Sequence, residues 1–423
     1  MFKRAGRVSL CAAALVTAAV AQEGAVPKGI PRLDHVFVIM MENHAYGQLI
    51  GNPDAPFINK YAKSANLATN YFAIAHPSFT NYLEATGGSN FGILNDNGPA
   101  WHSTSCIPNI VAGTVSLDNG KAPDICPITG VGTDAATPAI DYSNETSGPP
   151  GVINIDGKRS IAANHHTVGK SIADELHAYG LTWKSYQESL PPSGADNVNN
   201  SDGFYTDKSD LATALPGEGQ TQANLVALYA VKHDPFAYFR SVQEGPEGNN
   251  LANIVGFAGP KGLFEDLRRG HVPTYSFIAP NQCNDMHGRT NAGPVCEEDP
   301  KDNGTLVGLN PGLIRQGDYS VETIVGAIHS SPVWKEGHTA VILVWDENDY
   351  SVAPTTNRVL AVVDTNYGAR GIKSDKFYDH FSLLKSVEAG LHLPCLNHAC
   401  DANVSVMSDL FEGRNDRWDD DNE

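Results

Sequence analysis

No P-loop, no G-x-G-x-x-G run and no internal repeat occurs in this 423-residue chain, so neither a nucleotide-phosphate cradle nor a solenoid is indicated. C-x-x-C is also missing, which argues against cysteine-ligated zinc. Positive charge is scarce: 29 Lys and Arg face 48 Asp and Glu, a net charge of −19. That balance disfavours nucleic acid and anionic membrane as partners. No apolar run beyond the amino-terminal region is long enough to span a bilayer, so stable membrane insertion is not expected. The hydrophobic share of 41% suffices for a large buried core, as one domain with insertions or as one and a half domains.

The first residues have the form of a secretory leader. Lys3, Arg4 and Arg7 precede an apolar stretch from Val8 to Val20, and Ala19-Val20-Ala21 offers a cleavage site before Gln22. A protein exported to the periplasm or outside the cell is expected, with residues 22–413 as the mature domain and an acidic tail over 414–423. Loss of three positive charges with the leader takes the net charge to −22. Cys11 leaves with it, and six cysteines remain. Fifteen connectivities are open to six cysteines. The short loops between neighbours favour Cys106 with Cys126, Cys283 with Cys296, and Cys395 with Cys400. Sequons stand at Asn144, Asn199, Asn303 and Asn403.

Two apolar runs end abruptly in oxygen ligands. VFVIMM from Val36 leads into Glu42-Asn43-His44, and TAVILVW from Thr339 leads into Asp346-Glu347. Polar residues just past a buried strand lie where α/β sheets build their sites. Strand ends also use such residues simply to open turns. Two runs of one form suggest a single metal site drawn from distant strands.

Between them lies HPSFTNYLEATGG, His76 to Gly88, in which Ser78 opens a helical segment. A serine there is either an ordinary N-cap or a group beside free N–H donors that attract an oxyanion. Asn81 follows one turn later on the same side.

These strings, MMENHAYGQLIG, HPSFTNYLEATGG, PNQCNDMHG and VWDEND, together resemble the phosphoesterase family of secreted acid phosphatases and phospholipases C, related to alkaline phosphatase. The resemblance runs in order from about Asp34 to His398. It implies an alkaline-phosphatase-like α/β sandwich with helices on both faces of a mostly parallel sheet. It also implies Glu42, Asn43, Asp346 and Glu347 as metal ligands, Ser78 as a metal-bound nucleophile, and Asn81 as a donor to phosphate oxygen. Asp285 and His287 of CNDMHG, and His380 of YDHFS, become further site residues.

The chemistry suits those residue types, because phosphoryl transfer is mostly positioning and charge stabilisation. A divalent cation lowers the pKa of a bound hydroxyl. Oxygen ligands favour Mg, Ca or Mn, with Zn possible if His287 or His380 enters the set. A protonated histidine would bind phosphate or protonate the leaving group on the acid side. His76 is either phosphate-binding or a loop spacer. His233 in KHDPFAYF and the His165-His166 pair carry no feature that sets them above an ordinary histidine, and none receives a role.

The pattern predicts strands at 34–41, 181–186, 272–279, 339–345 and 358–363. Helices are predicted near 57–65, from Ser78, at 168–179, around 224–232, up to Arg269, at 318–329 and at 379–391. The Gly-, Pro- and Asn-rich stretch 90–164 is expected to cap the strand ends and select substrate. The reading is a secreted, metal-dependent acid phosphatase that cleaves phosphate monoesters, on small molecules or lipid headgroups, through phospho-Ser78. A phospholipase C-type diesterase would want an apolar rim, for which 90–164 is polar. A silent binding protein would not need Ser78, Asn81 and four ligand-type residues intact.

Overall fold

The computed structural model describes residues 23–101, 166–191, 228–290, 292–301, 304–349 and 357–412, with short pieces of the stretches between. The expected leader, Asn144, Asn199, Asn303, the acidic tail and much of the 90–164 stretch lie outside the described residues.

Strands β1 (His35–Met41), β2 (Asn66–Phe72), β3 (Trp183–Gln187), β4 (Ile254–Val255), β5 (Tyr275–Ala279), β6 (Thr339–Trp345), β7 (Arg358–Thr365), β8 (Lys373–Ser374) and β9 (Tyr378–Asp379) form one sheet. Its order is β4-β3-β5-β1-β6-β7-β2-β8, with β9 also on β2. β7 alone runs antiparallel to its neighbours; the other pairings are parallel.

All residues of β5 and β6 are buried, so the sheet is covered on both faces and these strands read as continuous apolar runs. Full burial of each such Val, Leu or Ile contributes roughly 1.5–3 kcal/mol. The covering helices are α1 (Pro56–Ser64), α2 (Ser78–Gly87), α3 (Ile172–Ala178), α4 (Leu263–Arg269), α5 (Pro311–Ser330) and α6 (His380–Leu391). α5 packs with α1 and α4, while α2 packs with α6. Among the described residues no helix is long and apolar enough to cross a membrane.

Register decides where the site lies. β1 and β6 pair in step from His35↔Thr339 to Met41↔Trp345. Glu42 and Asp346 therefore leave the sheet side by side, and the Asp346 N–H donates to Met41 O at 2.9 Å. β5 lies on the other side of β1, and the Glu42 N–H donates to Asp285 O at 2.8 Å. β2 and β9 point the same way, so Ser78 and His380 come to the same carboxyl end.

Several elements differ from the sequence reading: β2, β4, β8 and β9 are not among the predicted strands, and α3 starts at Ile172 rather than at 168. α5 begins seven residues before the expected Asp318, because Asn310 caps it through its Oδ1 and Pro311 fits the first turn. Gly312 and Gly317 mask that start in the sequence; at Gly317 a Cβ would strike Met286 of the CNDMHG loop. The helix expected around 224–232 is not formed. Leu225–Val226 is extended, and only a 3₁₀ turn, Val231–His233, precedes Asp234-Pro235, since proline disfavours helical backbone in the residue before it. The three expected disulfides, Cys106–Cys126, Cys283–Cys296 and Cys395–Cys400, are present.

Candidate active site

Ser78 is the first residue of α2, and its hydroxyl does not cap the helix. It lies 3.1 Å from Glu42 Oε2 and 2.9 Å from Glu347 Oε1. One hydroxyl proton thus faces two carboxylates, all three groups being buried. Each carboxylate is held by its second oxygen. Tyr82, one helical turn after Ser78, donates to Glu42 Oε1 at 2.7 Å, and Glu347 Oε2 meets His76 Nδ1 at 2.7 Å and Asn81 Nδ2 at 3.1 Å.

Asn81 is more committed than expected. Its Oδ1 accepts from the N–H groups of Ile74 and Ala75, and its Nδ2 donates to Ala75 O as well as to Glu347. It braces the loop before Ser78 and orients Glu347; an N–H for phosphate would have to be taken from one of them. His76 likewise serves Glu347 in this structure.

Asp346 Oδ1 accepts from the Asn43 N–H at 3.2 Å. Asp346 Oδ2 and Asn43 Oδ1 are buried with no hydrogen-bond partner. Asn43 has φ of 53°, a left-handed conformation that asparagine tolerates better than most residues. Burial and mutual repulsion push all the carboxyls upward: Glu42 to about 7, Asp346 well above its usual value, and Glu347 upward despite His76 beside it. Buried, mutually repelling oxygens with unsatisfied lone pairs suit a hard divalent cation, so Glu42, Asn43, Asp346 and Glu347 fit one.

His380 does not face Ser78. Its Nε2 lies 2.6 Å from Asp346 O and its Nδ1 2.9 Å from the Tyr71 hydroxyl, so the ring fixes the main chain at Asp346. Asp285 Oδ1 accepts from the His287 N–H, and its Oδ2 lies 3.2 Å from His233 Nδ1. His233 Nε2 in turn meets Glu42 Oε1 at 3.0 Å. His233, given no role from the sequence, thus joins two site carboxyls. Its ring stacks on Tyr82.

These three positions disfavour the protonated histidine expected for acid-side chemistry. Burial holds His287 and His380 down to about 4, and burial with Lys232 and His287 alongside holds His233 well below its usual value. Positive charge comes from Lys232, whose Nζ lies 3.1 Å from Asp96 Oδ2 and 3.3 Å from His287 Nε2. Glu42, His233 and His287 also offer ligand atoms within 4.8 Å of one another, a nitrogen-rich set closer to zinc chemistry, with the Lys232 ammonium adjoining it.

Sequence reasoning missed Tyr82, Asp96, Lys232 and His233. Tyr82 was within reach of the spacing that picked out Asn81, since it stands four residues after Ser78 on the same helix face. The other three come from segments that only the tertiary fold brings close.

The model of the Phosphoesterase family matches residues 52–296 and 310–394. That span includes Ser78, Asn81, Asp285, His287, Asp346, Glu347 and His380, while Glu42 and Asn43 precede it. An acid phosphatase of Aspergillus fumigatus is 24% identical over 370 residues, covering 87% of this chain. The chain spans only 57% of that relative's length. A phosphatidylinositol-3-phosphatase of Mycobacterium tuberculosis is 23% identical over 396 residues, covering 93% of this chain and 88% of its own. A solved protein of the alkaline phosphatase superfamily from Vibrio parahaemolyticus aligns over 86% of this chain and 68% of its own, at 12% identity and a TM-score of 0.43.

Proposed function

The chain belongs to the Phosphoesterase family, and from that premise we propose that it is an exported, cation-dependent phosphomonoesterase with Ser78 as nucleophile. The observation that carries the reading is the buried Ser78 hydroxyl poised between Glu42 and Glu347 at 3.1 and 2.9 Å. The serine oxygen attacks phosphorus, the ester P–O bond breaks, and the alcohol departs; water then releases phosphate from Ser78. A divalent cation held by Glu42, Asn43, Asp346 and Glu347 would supply positive charge to the phosphoryl oxygens and acidify the serine hydroxyl.

The chain's own groups do the rest. Glu42 and Glu347 stand ready to take the Ser78 proton, and Tyr82, His76 and Asn81 keep both carboxylates aimed. His380 fixes the Asp346 backbone. The three disulfides suit an oxidising compartment, which supports export. The 90–164 insertion contributes Asp96 at the Ser78 helix, which supports its role in substrate selection.

A phosphorylated lipid headgroup is the substrate reading with support of its own, because the phosphatidylinositol-3-phosphatase relative matches nearly end to end. The direct test is hydrolysis of para-nitrophenyl phosphate against its bis ester, before and after chelation and with Mg, Ca, Mn or Zn restored. Monoester turnover lost on chelation and regained with one cation is expected. Preference for the diester would replace the monoesterase reading, and turnover indifferent to chelation would remove the cation.

Stability of the chelated protein should follow the same charges. Between the ordinary value of 4.5 and about 7, folded Glu42 keeps a proton that the unfolded chain has released. Its contribution is complete below 4.5 and is lost as pH rises through about 7. Glu188 and Asp234, each pushed up to about 7 by burial, and Glu175, pushed up to about 9, act in the same direction, and together they outnumber the buried His233, His287 and His380, which act oppositely. The chelated protein should therefore melt higher at about pH 5 than at about pH 8. The increment from a saturating divalent cation should be larger at about pH 8, where its ligands are ionised. Calorimetry reads both; an increment that shrinks on going to the higher pH would take Glu42 out of the cation site.

A further inference from the structure

Asp96 occupies an unusual position for a carboxylate near an anion-handling serine. Its Oδ1 accepts from the Phe79 N–H at 3.0 Å, and its Oδ2 lies 3.1 Å from Lys232 Nζ. Phe79 directly follows Ser78, and its N–H is one of the first-turn donors that a helix cannot satisfy internally. The carboxylate therefore bridges a helix-terminal donor, on the residue after the nucleophile, and a cation. Two N–H donors, one charged, are what a phosphoryl oxygen pair seeks, and carboxylate and phosphate accept from them alike.

The two partners differ in how firmly they are held. The Lys232 side chain is 12% exposed and has a second contact, with His287 Nε2 at 3.3 Å. The His287 Nδ1 is spent on Gly288 O at 2.9 Å, which leaves Nε2 as an acceptor for the ammonium. Lys232 would thus stay in place if Asp96 left. Asp96 is 31% exposed and has solvent to turn into. Lys232 also acts electrostatically on Glu42, Asp285 and Glu347, so its charge reaches the carboxylates around Ser78.

We infer that the Phe79 amide and the Lys232 ammonium form a phosphoryl-oxygen subsite, and that the Asp96 carboxylate fills it in the free protein as an internal competitor displaced by substrate. The inference rests on the phosphomonoesterase reading and deepens it. Asp96 would set the affinity for phosphate without entering the bond changes, keeping product release fast at the expense of tight binding.

The test is calorimetric titration of inorganic phosphate into the cation-loaded full chain, together with KM and kcat for para-nitrophenyl phosphate. Asp96→Asn keeps an acceptor for the Phe79 N–H and removes the charge, so the helix start stays capped; Asp96→Ala removes both. Both variants should bind phosphate about tenfold more tightly, the change expected from losing one competing charge-assisted contact, with KM falling in parallel. Lys232→Met should weaken phosphate by about tenfold or more. Phosphate binding in Asp96→Asn equal to or weaker than the parent's would overturn the inference, leaving Asp96 as a group that merely orients Lys232. A parent protein that neither binds phosphate nor cleaves the monoester would instead sink the functional reading itself.

Discussion

Ser78→Ala is expected to lower kcat/KM for para-nitrophenyl phosphate by at least about 10⁴-fold, the scale seen when a nucleophile is deleted from a machinery that works as a unit. The loss should fall on kcat, because the substitution leaves in place the groups proposed to bind the phosphoryl oxygens. It removes only the oxygen between Glu42 and Glu347. The fold should persist, since the hydroxyl caps nothing and alanine favours the helix that Ser78 begins. Cation binding should weaken but remain. Rapid-quench labelling with a ³²P monoester should show acid-stable phosphoprotein in the parent and none in the variant. Residual turnover within tenfold of the parent would end the assignment of Ser78 as nucleophile.

Asp346→Asn should cost at least about 100-fold in divalent-cation affinity, since even groups behind the ligands cost roughly 10–100-fold when removed. The change is nearly isosteric. The Asn43 N–H can still donate to the remaining carbonyl oxygen, while the buried, unpartnered Oδ2 becomes an amide nitrogen that cannot hold a cation. Metal content after dialysis and the thermal shift on adding cation both report this without recourse to activity. Full metal content in the variant would exclude Asp346 from the ligand set.

The candidate site was legible where chemistry and pattern coincide on a short stretch of chain. β1 and β6 announce themselves as apolar runs that stop at Glu42 and Asp346, and a parallel sheet leaves such endings little freedom to be elsewhere. Ser78 was legible for a similar reason, as a polar residue opening a helix. His233 was not, because the segment before it reads as helical while the fold makes only a 3₁₀ turn there, and the turn is what swings the imidazole between Glu42 and Asp285. Asp96 sits in a polar loop without periodicity, and its position on α2 is a fact of tertiary packing alone. His380 was found as a residue but not as an orienting group: a hydrogen bond to a distant main-chain carbonyl leaves no mark in sequence.

The in-step pairing of β1 with β6 joins residues about three hundred positions apart, such as Met41 with Trp345. β1 lies inside the sheet, between β5 and β6, so the strand made first must wait for strands made much later before its edges close. Such long-range closure is slow and exposes apolar edges meanwhile. An emerging chain therefore carries Glu42 and Ser78 long before Asp346 exists to pack beside them, and the carboxylate cluster is complete only late in synthesis.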